Sequence, residues 1–264
     1  MTAYPLPQQV AAALRSRHLP TVFEALDRTG LLAVVWPQLA PSVETAGFRD
    51  SAHYMADMAT EAIAESYEPA AILTPATLDA VAATLDLFHT LQPQTILICA
   101  ALVEALDCPR VGGQGRAEPR ITSPSETAHL ATVITLAPPD AAPLPEVAAE
   151  LQTPVAPDLY RAVASTPGYL DAVWPELQHL AAFPPLRRRA RAFYYYARSA
   201  SRFLAVPLEA RVDTLQRAGL TDSAISEARV ALDAALPETA AMLIHCAAMR
   251  AGLGITGRLL PPRP

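Results

Sequence analysis

The sequence contains no lysine, and all 20 of its basic residues are arginine. This absence excludes Schiff-base chemistry, pyridoxal phosphate attachment and a P-loop lysine. The motifs GxSxG, HExxH and GxGxxG are missing as well, and the six histidines are too scattered to predict a metal site. Any chemistry must therefore use carboxylates, amides, hydroxyls and water. We expect no cofactor and no metal.

Cysteine is also scarce, and long apolar runs are missing. Cys99, Cys108 and Cys246 form no CxxC motif, so we predict free thiols and rank redox chemistry third among the possible functions. No apolar run reaches the 18 residues or so that a membrane span needs. The N-terminus lacks the basic-then-apolar pattern of a signal peptide. These features predict a soluble, cytoplasmic protein.

The charge balance indicates which partners to expect. The net charge is −6, which argues against nucleic acid because a clustered basic face would be needed. The dense basic run RRRAR at 187–191 is predicted to be the solvated face of a helix. Hydrophobic residues make up 52% of the chain and mean hydropathy is +0.20, enough for a substantial core. We expect neither a nucleic-acid partner nor a membrane.

The sequence is helical in pattern nearly throughout, and it repeats. TGLLAVVWPQL at 29–39 returns as TPGYLDAVWPEL at 166–177, with an offset of 137 to 138 residues. Farther along, LQPQT from Leu91 matches ALPET from Ala235 at an offset of 144. A period this long does not suit a solenoid. We predict an all-α fold built from a duplicated helical module, which forms a pseudo-dimer within one chain.

The repeat also sets the predicted domain boundaries. Residues 1–113 form the first helical repeat and residues 143–256 the second. The stretch 114–142 between them is rich in Gly, Pro and Ser and is predicted to be a linker, with TVITL as a short extended piece. The tail 257–264 is expected to be disordered.

Candidate site residues are found where the two copies differ in polarity. Asp158 precedes the helix of the second copy where the first copy has Thr21. Gln92 precedes Pro93 where the second copy has Leu236. An Asp directly before an amphipathic run is most often a helix N-cap, and Gln92 could equally be a surface or capping residue. Taken alone, neither residue indicates catalysis.

A resemblance gives these residues a second interpretation. TPGYLDAVW at 166–174, QPQTILICAALVEALDCPRVGG at 92–113 and QRAGLTDSAISEARVAL at 216–232 resemble the group I (D,L-specific) 2-haloacid dehalogenases. The resemblance spans most of both copies but is remote in identity. It implies an all-helical fused pseudo-dimer, similar to the alkylhydroperoxidase-D-like fold, with one site between the halves.

The same resemblance implies a reaction and its residues. An activated water displaces the α-halogen of a short 2-haloacid, with inversion and without a covalent intermediate. The base of the family matches Asp158, and its water-orienting Asn matches Gln92. The neighbouring residues Thr21, Phe23 and Tyr160 are the predicted substrate-binding residues. The implied partner is a small carboxylic acid, and homodimer formation is left open.

The alternative is a non-catalytic helical protein, a binding or scaffolding descendant of the same duplicated fold. The two hypotheses differ in what they expect of Asp158. A carboxylate enclosed between the halves favours the hydrolase, whereas an exposed cap of its own helix favours the scaffold.

Overall fold

The computed structural model describes residues 5–71, 75–252 and 255–259. The described residues form twelve α-helices, one 3₁₀ turn and two short strands. In chain order these are α1 (Leu6–Ala13), α2 (Thr21–Arg28), α3 (Leu31–Val43), α4 (Ala46–Ser66), β1 (Tyr67–Ala71), α5 (Pro75–Asp107), α6 (Pro124–Ala131), α7 (Leu144–Leu151), α8 (Asp158–Val163), α9 (Tyr169–Ala182), α10 (Pro184–Ala200), the 3₁₀ turn Ser201–Phe203, α11 (Val212–Arg217), α12 (Asp222–Gly252) and β2 (Ile255–Leu259). The predicted all-α class is confirmed.

The two long helices α5 and α12 form the centre of the molecule. They pack against each other, and α4 and α10 pack against both. Each contains an internal proline, Pro93 or Pro237. Because α5 and α12 are covered on several sides, both carry apolar residues around most of their circumference. Cys99 and Cys246 are buried there as free thiols, while Cys108 is partly exposed.

Helix α12 is long and apolar enough to cross a membrane, by length and composition alone. Half of its most apolar window is buried inside the protein, against neighbours that include α5, α4 and α10. A core helix packed among other helices also passes this test of length and composition.

Corresponding helices of the two sequence repeats begin in the same way. Helices α2 and α8 each follow a proline, Pro20 or Pro157, in an extended conformation. Helices α3 and α9 each follow a glycine, Gly30 at φ 79° or Gly168 at φ 75°. A positive φ favours glycine, so the shared TG and PG turns have a backbone reason. The duplication itself stays a prediction, as do the domain boundaries.

The segment 114–142 is more structured than the predicted linker. It contains helix α6, which starts with a capping box formed by Ser123 and Glu126. The buried guanidinium of Arg120 pairs with Glu126 and also donates a 2.9 Å hydrogen bond to Oε1 of Gln94 on α5. These buried polar contacts attach the segment to the core. The TVITL piece at 132–136 forms no strand.

The tail predicted to be disordered, 257–264, begins within a short strand. Residues 257–259 belong to β2, which pairs antiparallel with β1 and brings Gly257 opposite Pro69. A strand this short carries little periodic signal, and its partner lies nearly 190 residues away in the sequence. Residues 260–264 lie outside the described residues.

The buried pair of Arg120 and Glu126 generates a stability prediction. Glu126→Ala should lower the free energy of unfolding by about 3–5 kcal/mol, because it leaves the Arg120 charge buried without a partner. Urea denaturation at neutral pH measures the change. The exposed Arg116–Glu118 pair, with N and O atoms 3.6 Å apart, supplies the control. Glu118→Ala should cost less than about 1 kcal/mol. Equal losses in the two variants would contradict the assigned role.

Candidate functional site

Asp158 is the first residue of α8, yet its carboxylate does not cap that helix. The N-cap residue is Pro157, and no side chain caps the helix start. The interpretation of Asp158 as the N-cap of its own helix is therefore wrong. The proline supplies the extended backbone that an N-cap needs, which leaves the next side chain free to point elsewhere.

The Asp158 carboxylate instead contacts the start of α2, in the first half of the chain. The Thr21 hydroxyl donates to the carboxylate and lies 2.8 Å from both of its oxygens. The Thr21 backbone N–H donates to Oδ2 over 3.2 Å. Because the N-terminus of a helix carries partial positive charge, α2 favours the ionised form of this carboxylate. Two residues that the repeat aligns, 137 positions apart, thus meet each other directly.

A third donor, His18, was not anticipated from the sequence. Its Nε2 lies 3.2 Å from Oδ2 of Asp158. The His18 backbone N–H donates to the Ser16 hydroxyl, and its ring lies 5.5 Å from the Phe88 ring, centroid to centroid. A lone histidine in a short loop carries no spacing signal. His18 comes close to Asp158 only in the folded chain, because the two residues are 140 positions apart in the sequence.

These contacts determine the charge of Asp158. Burial alone would raise its pKa, since only 14% of the side chain is exposed. The hydrogen bond and charge interaction with His18, together with the two Thr21 donors, outweigh burial and hold the pKa below its usual value. Asp158 is therefore an ionised, largely enclosed carboxylate at neutral pH.

The carboxylate keeps room for one more donor. Its two oxygens offer about four lone-pair positions in total. Three donors from His18 and Thr21 occupy most of them, and Oδ1 receives only the hydroxyl that it shares with Oδ2. Arg161 approaches Oδ1 at 4.0 Å, too far for a hydrogen bond. The Oδ1 side is thus where a water could donate to Asp158.

Gln92, the predicted water-orienting residue, lies inside the protein on α5. It is 5% exposed, and its Oε1 has no hydrogen-bond partner among the described residues. A buried amide oxygen without a partner is costly and uncommon. No hydrogen bond between Gln92 and Asp158 occurs among the described residues, although α5 and α8 pack together. Gln92 is thus available to bind a small polar molecule.

Of the three predicted substrate-binding residues, only Thr21 contacts Asp158 by a hydrogen bond. Phe23 is fully buried in the core. Tyr160 is also fully buried: its hydroxyl pairs with Nδ1 of His245 at 2.9 Å, and its ring packs edge-on against Trp174. The structure gives Phe23 and Tyr160 packing roles, and their contact with substrate stays a prediction.

Glu238 is a second ionisable residue that the sequence reasoning missed. It follows Pro237 on α12, and burial, with a further contribution from the Asp158 charge, raises its pKa to about 7. The sequence repeat did contain a signal for Glu238. When LQPQT is aligned with ALPET, Glu238 corresponds to Gln94. The site therefore holds two carboxyl groups whose surroundings move their pKa values in opposite directions, a pattern typical of acid–base sites.

A cavity of about 800 Å³ is lined mainly by residues of the second half of the chain. Its walls include Leu186, Leu236, Ile244 and His245, but not Asp158, Thr21 or Gln92. Burial lowers the pKa of His245 to about 4, so its imidazole is neutral where it faces Tyr160. His245, the partner of Tyr160, thus lines the cavity, whereas the Asp158 carboxylate does not. Among residues 5–71, 75–252 and 255–259, no cluster of His, Cys, Asp or Glu could hold a metal.

Thr21→Val tests the electrostatic account of Asp158. It removes the hydroxyl donor and keeps the backbone N–H, so the pKa of Asp158 should rise. The ionised carboxylate stabilises the fold above its unfolded pKa, and this stability is lost as pH falls through the folded pKa. In the variant, that loss should be smaller and should be complete at a higher pH, with about 1 kcal/mol missing at pH 7.

Carbon-13 NMR of the Asp158 carboxyl group during a pH titration measures the shift directly. Thr29→Val is the matched control, since the Thr29 hydroxyl donates to Leu26 at the other end of α2. An unchanged Asp158 titration in Thr21→Val would show that the hydroxyl does not stabilise the charge.

Glu238→Gln tests the second carboxyl group. A raised pKa means that the protonated side chain stabilises the fold at low pH, and this stability is lost as pH rises from the unfolded pKa through about 7. Between pH 5 and pH 8 the wild type should therefore lose about 2 kcal/mol relative to the variant. Urea denaturation at both pH values measures this, with exposed Glu61→Gln as control. Parallel pH profiles for wild type and Glu238→Gln would refute the assignment.

Among the comparisons with known proteins, only the comparison with solved structures gives matches, and these agree with the all-helical fold. No protein-family model matches the chain, and no curated protein matches it. Similar solved structures include a D-2-haloacid dehalogenase mutant and a complex of D-2-haloacid dehalogenase with L-LA, each with a TM-score of 0.84 and 17% identity over 92% of this chain and 89% of theirs. A mutant complex with D-2-CPA has a TM-score of 0.81 and 18% identity, covering 92% of this chain and 90% of that chain. The chain therefore has a 2-haloacid dehalogenase-like, all-helical fold.

Proposed function

We propose that this protein is a hydrolase that replaces the α-halogen of a short 2-haloacid with a hydroxyl group. Asp158 is the general base that activates the attacking water, and Gln92 orients that water. The observation that carries the proposal is the Asp158 carboxylate itself. It is ionised, mostly enclosed between the two halves of the chain and not used to cap its own helix.

The proposed reaction is a single displacement. A water donates a hydrogen bond to Oδ1 of Asp158, and its oxygen attacks the α-carbon opposite the halogen. The new C–O bond forms as the C–X bond breaks, the halide leaves with the bonding electrons, and the water proton passes to Asp158. The proton then returns to solvent. General-base assistance of this kind contributes roughly 10²–10⁴-fold to a rate.

The neighbours of Asp158 have defined parts in this proposal. His18 and Thr21 hold the carboxylate in one orientation, because three donors from two elements fix its plane. The Arg161 guanidinium, 4.0 Å from Oδ1, is close enough to bind the substrate carboxylate. Glu238 is largely neutral below pH 7, so it adds little negative charge to repel an anionic substrate.

One observation favours the alternative, a non-catalytic helical binding or scaffolding protein. Three donors of the protein already occupy the Asp158 carboxylate, and Gln92 makes no hydrogen bond to it among the described residues. In that case Asp158 would serve as a polar connection between α2 and α8. The Asp158 carboxylate is thus either a catalytic base fixed in position or a structural contact between α2 and α8.

Halide release separates the two functions. The substrates are both enantiomers of 2-chloropropionate and 2-bromopropionate. Wild type should release halide, and Asp158→Asn should slow release by about 10²–10⁴-fold with the fold retained by circular dichroism. Asp171→Asn, an exposed carboxylate on α9, should keep wild-type activity. Turnover that survives in Asp158→Asn would remove Asp158 from the role, and no release by wild type would favour the scaffold.

A single turnover in H₂¹⁸O tests direct attack by water. The hydroxyl of the first product should carry the label. An unlabelled first product, with the oxygen supplied by a protein carboxylate, would refute the displacement and indicate an ester intermediate.

A further inference from the structure

A second cleft, of about 500 Å³, lies at the end of α5, and no residue given a part in the proposed reaction lines it. It is formed where the turn after α5 meets the end of α10 and the 3₁₀ turn. The side chains on its walls that bear on its chemistry are Glu104, Arg110, Tyr195, Arg198, Ser199 and Arg202.

The charge of this cleft is unbalanced. Three arginines line it, whereas Glu104 is the one carboxylate among its lining residues. Glu104 is already paired with Arg198, with a 2.6 Å separation between Oε1 and Nε. Neither Arg110 nor Arg202 forms an ion pair among the described residues. Two unpaired positive charges in a concave site raise the local concentration of small anions.

The backbone around the cleft is held firmly in place. Val111 and Leu208 exchange two hydrogen bonds, and Gly113 N–H donates to the Leu204 carbonyl over 2.7 Å. Gly112 has φ +86°, and a Cβ added there would lie 2.8 Å from Cβ of Leu204. Only glycine lets the two segments approach so closely. The cleft is therefore formed before any ligand arrives, which lowers the entropic cost of binding.

We propose that this cleft binds a small polyanion carrying two phosphate or carboxylate groups. Arg110 and Arg202 each present a planar set of N–H donors, which matches phosphate and carboxylate oxygens. The Tyr195 and Ser199 hydroxyls can supply further hydrogen bonds. The volume suits a small molecule rather than a polymer. This site does not depend on the proposed dehalogenase reaction.

Isothermal titration with pyrophosphate and, separately, with citrate tests the proposal and identifies the anionic group. Arg110→Gln and Arg202→Gln should each weaken binding by about tenfold or more. Arg188→Gln is the matched control, because Arg188 is exposed on α10 and lines neither cavity. Its affinity should equal that of wild type.

Glu104→Gln should change the anion affinity in the opposite direction from the arginine substitutions. Removing the carboxylate frees Arg198 and should tighten anion binding, a change that a merely damaged protein would not show. Binding of either probe with this pattern supports the site, and pyrophosphate preferred over citrate assigns it to phosphate. The proposal would be overturned if wild type bound neither probe, or if Arg188→Gln weakened binding as much as the other two arginine substitutions.

Discussion

The hydrogen bonds from Thr21 to Asp158 are the contacts on which the arrangement of the site depends. They join the first turns of two helices that belong to different halves of the chain. Each helix starts after a proline, so the backbone supplies its own extended cap and the following side chain is released for the contact. The hydrogen bond and charge interaction with His18, together with the Thr21 donors at the start of α2, then keep the carboxylate ionised despite burial. Thr21 and His18 together thus fix the position and the charge of Asp158.

Surrounding features follow from the same junction. Burial drives the neighbouring Glu238 toward its neutral form by raising its pKa, and the negative charge of Asp158 adds to this effect. On α8 itself, Tyr160 packs on Trp174 and pairs with a neutral His245, which lines the larger cavity.

Much of the fold could be predicted from the sequence, since apolar residues at helical spacing and prolines before them are local signals. The pairing of Thr21 with Asp158 was also visible, as an alignment of two repeats. The direct contact between these two residues could not be predicted, because it depends on how helices distant in the sequence pack together. His18 in its loop and the buried Arg120 in the supposed linker act through partners far away in the sequence. Glu238 was detectable in the repeat but acquires its unusual pKa only through burial beside Asp158.

The contact between Thr21 and Asp158 also constrains how this sequence can change over evolutionary time. Residues related by a two-fold axis meet their own counterparts only close to that axis. If the halves arose by duplication, these two positions began as the same residue facing itself. Two carboxylates there would repel each other, and two threonines would lack a charge. An unequal pair resolves this, so substitutions at positions 21 and 158 should occur together across related sequences.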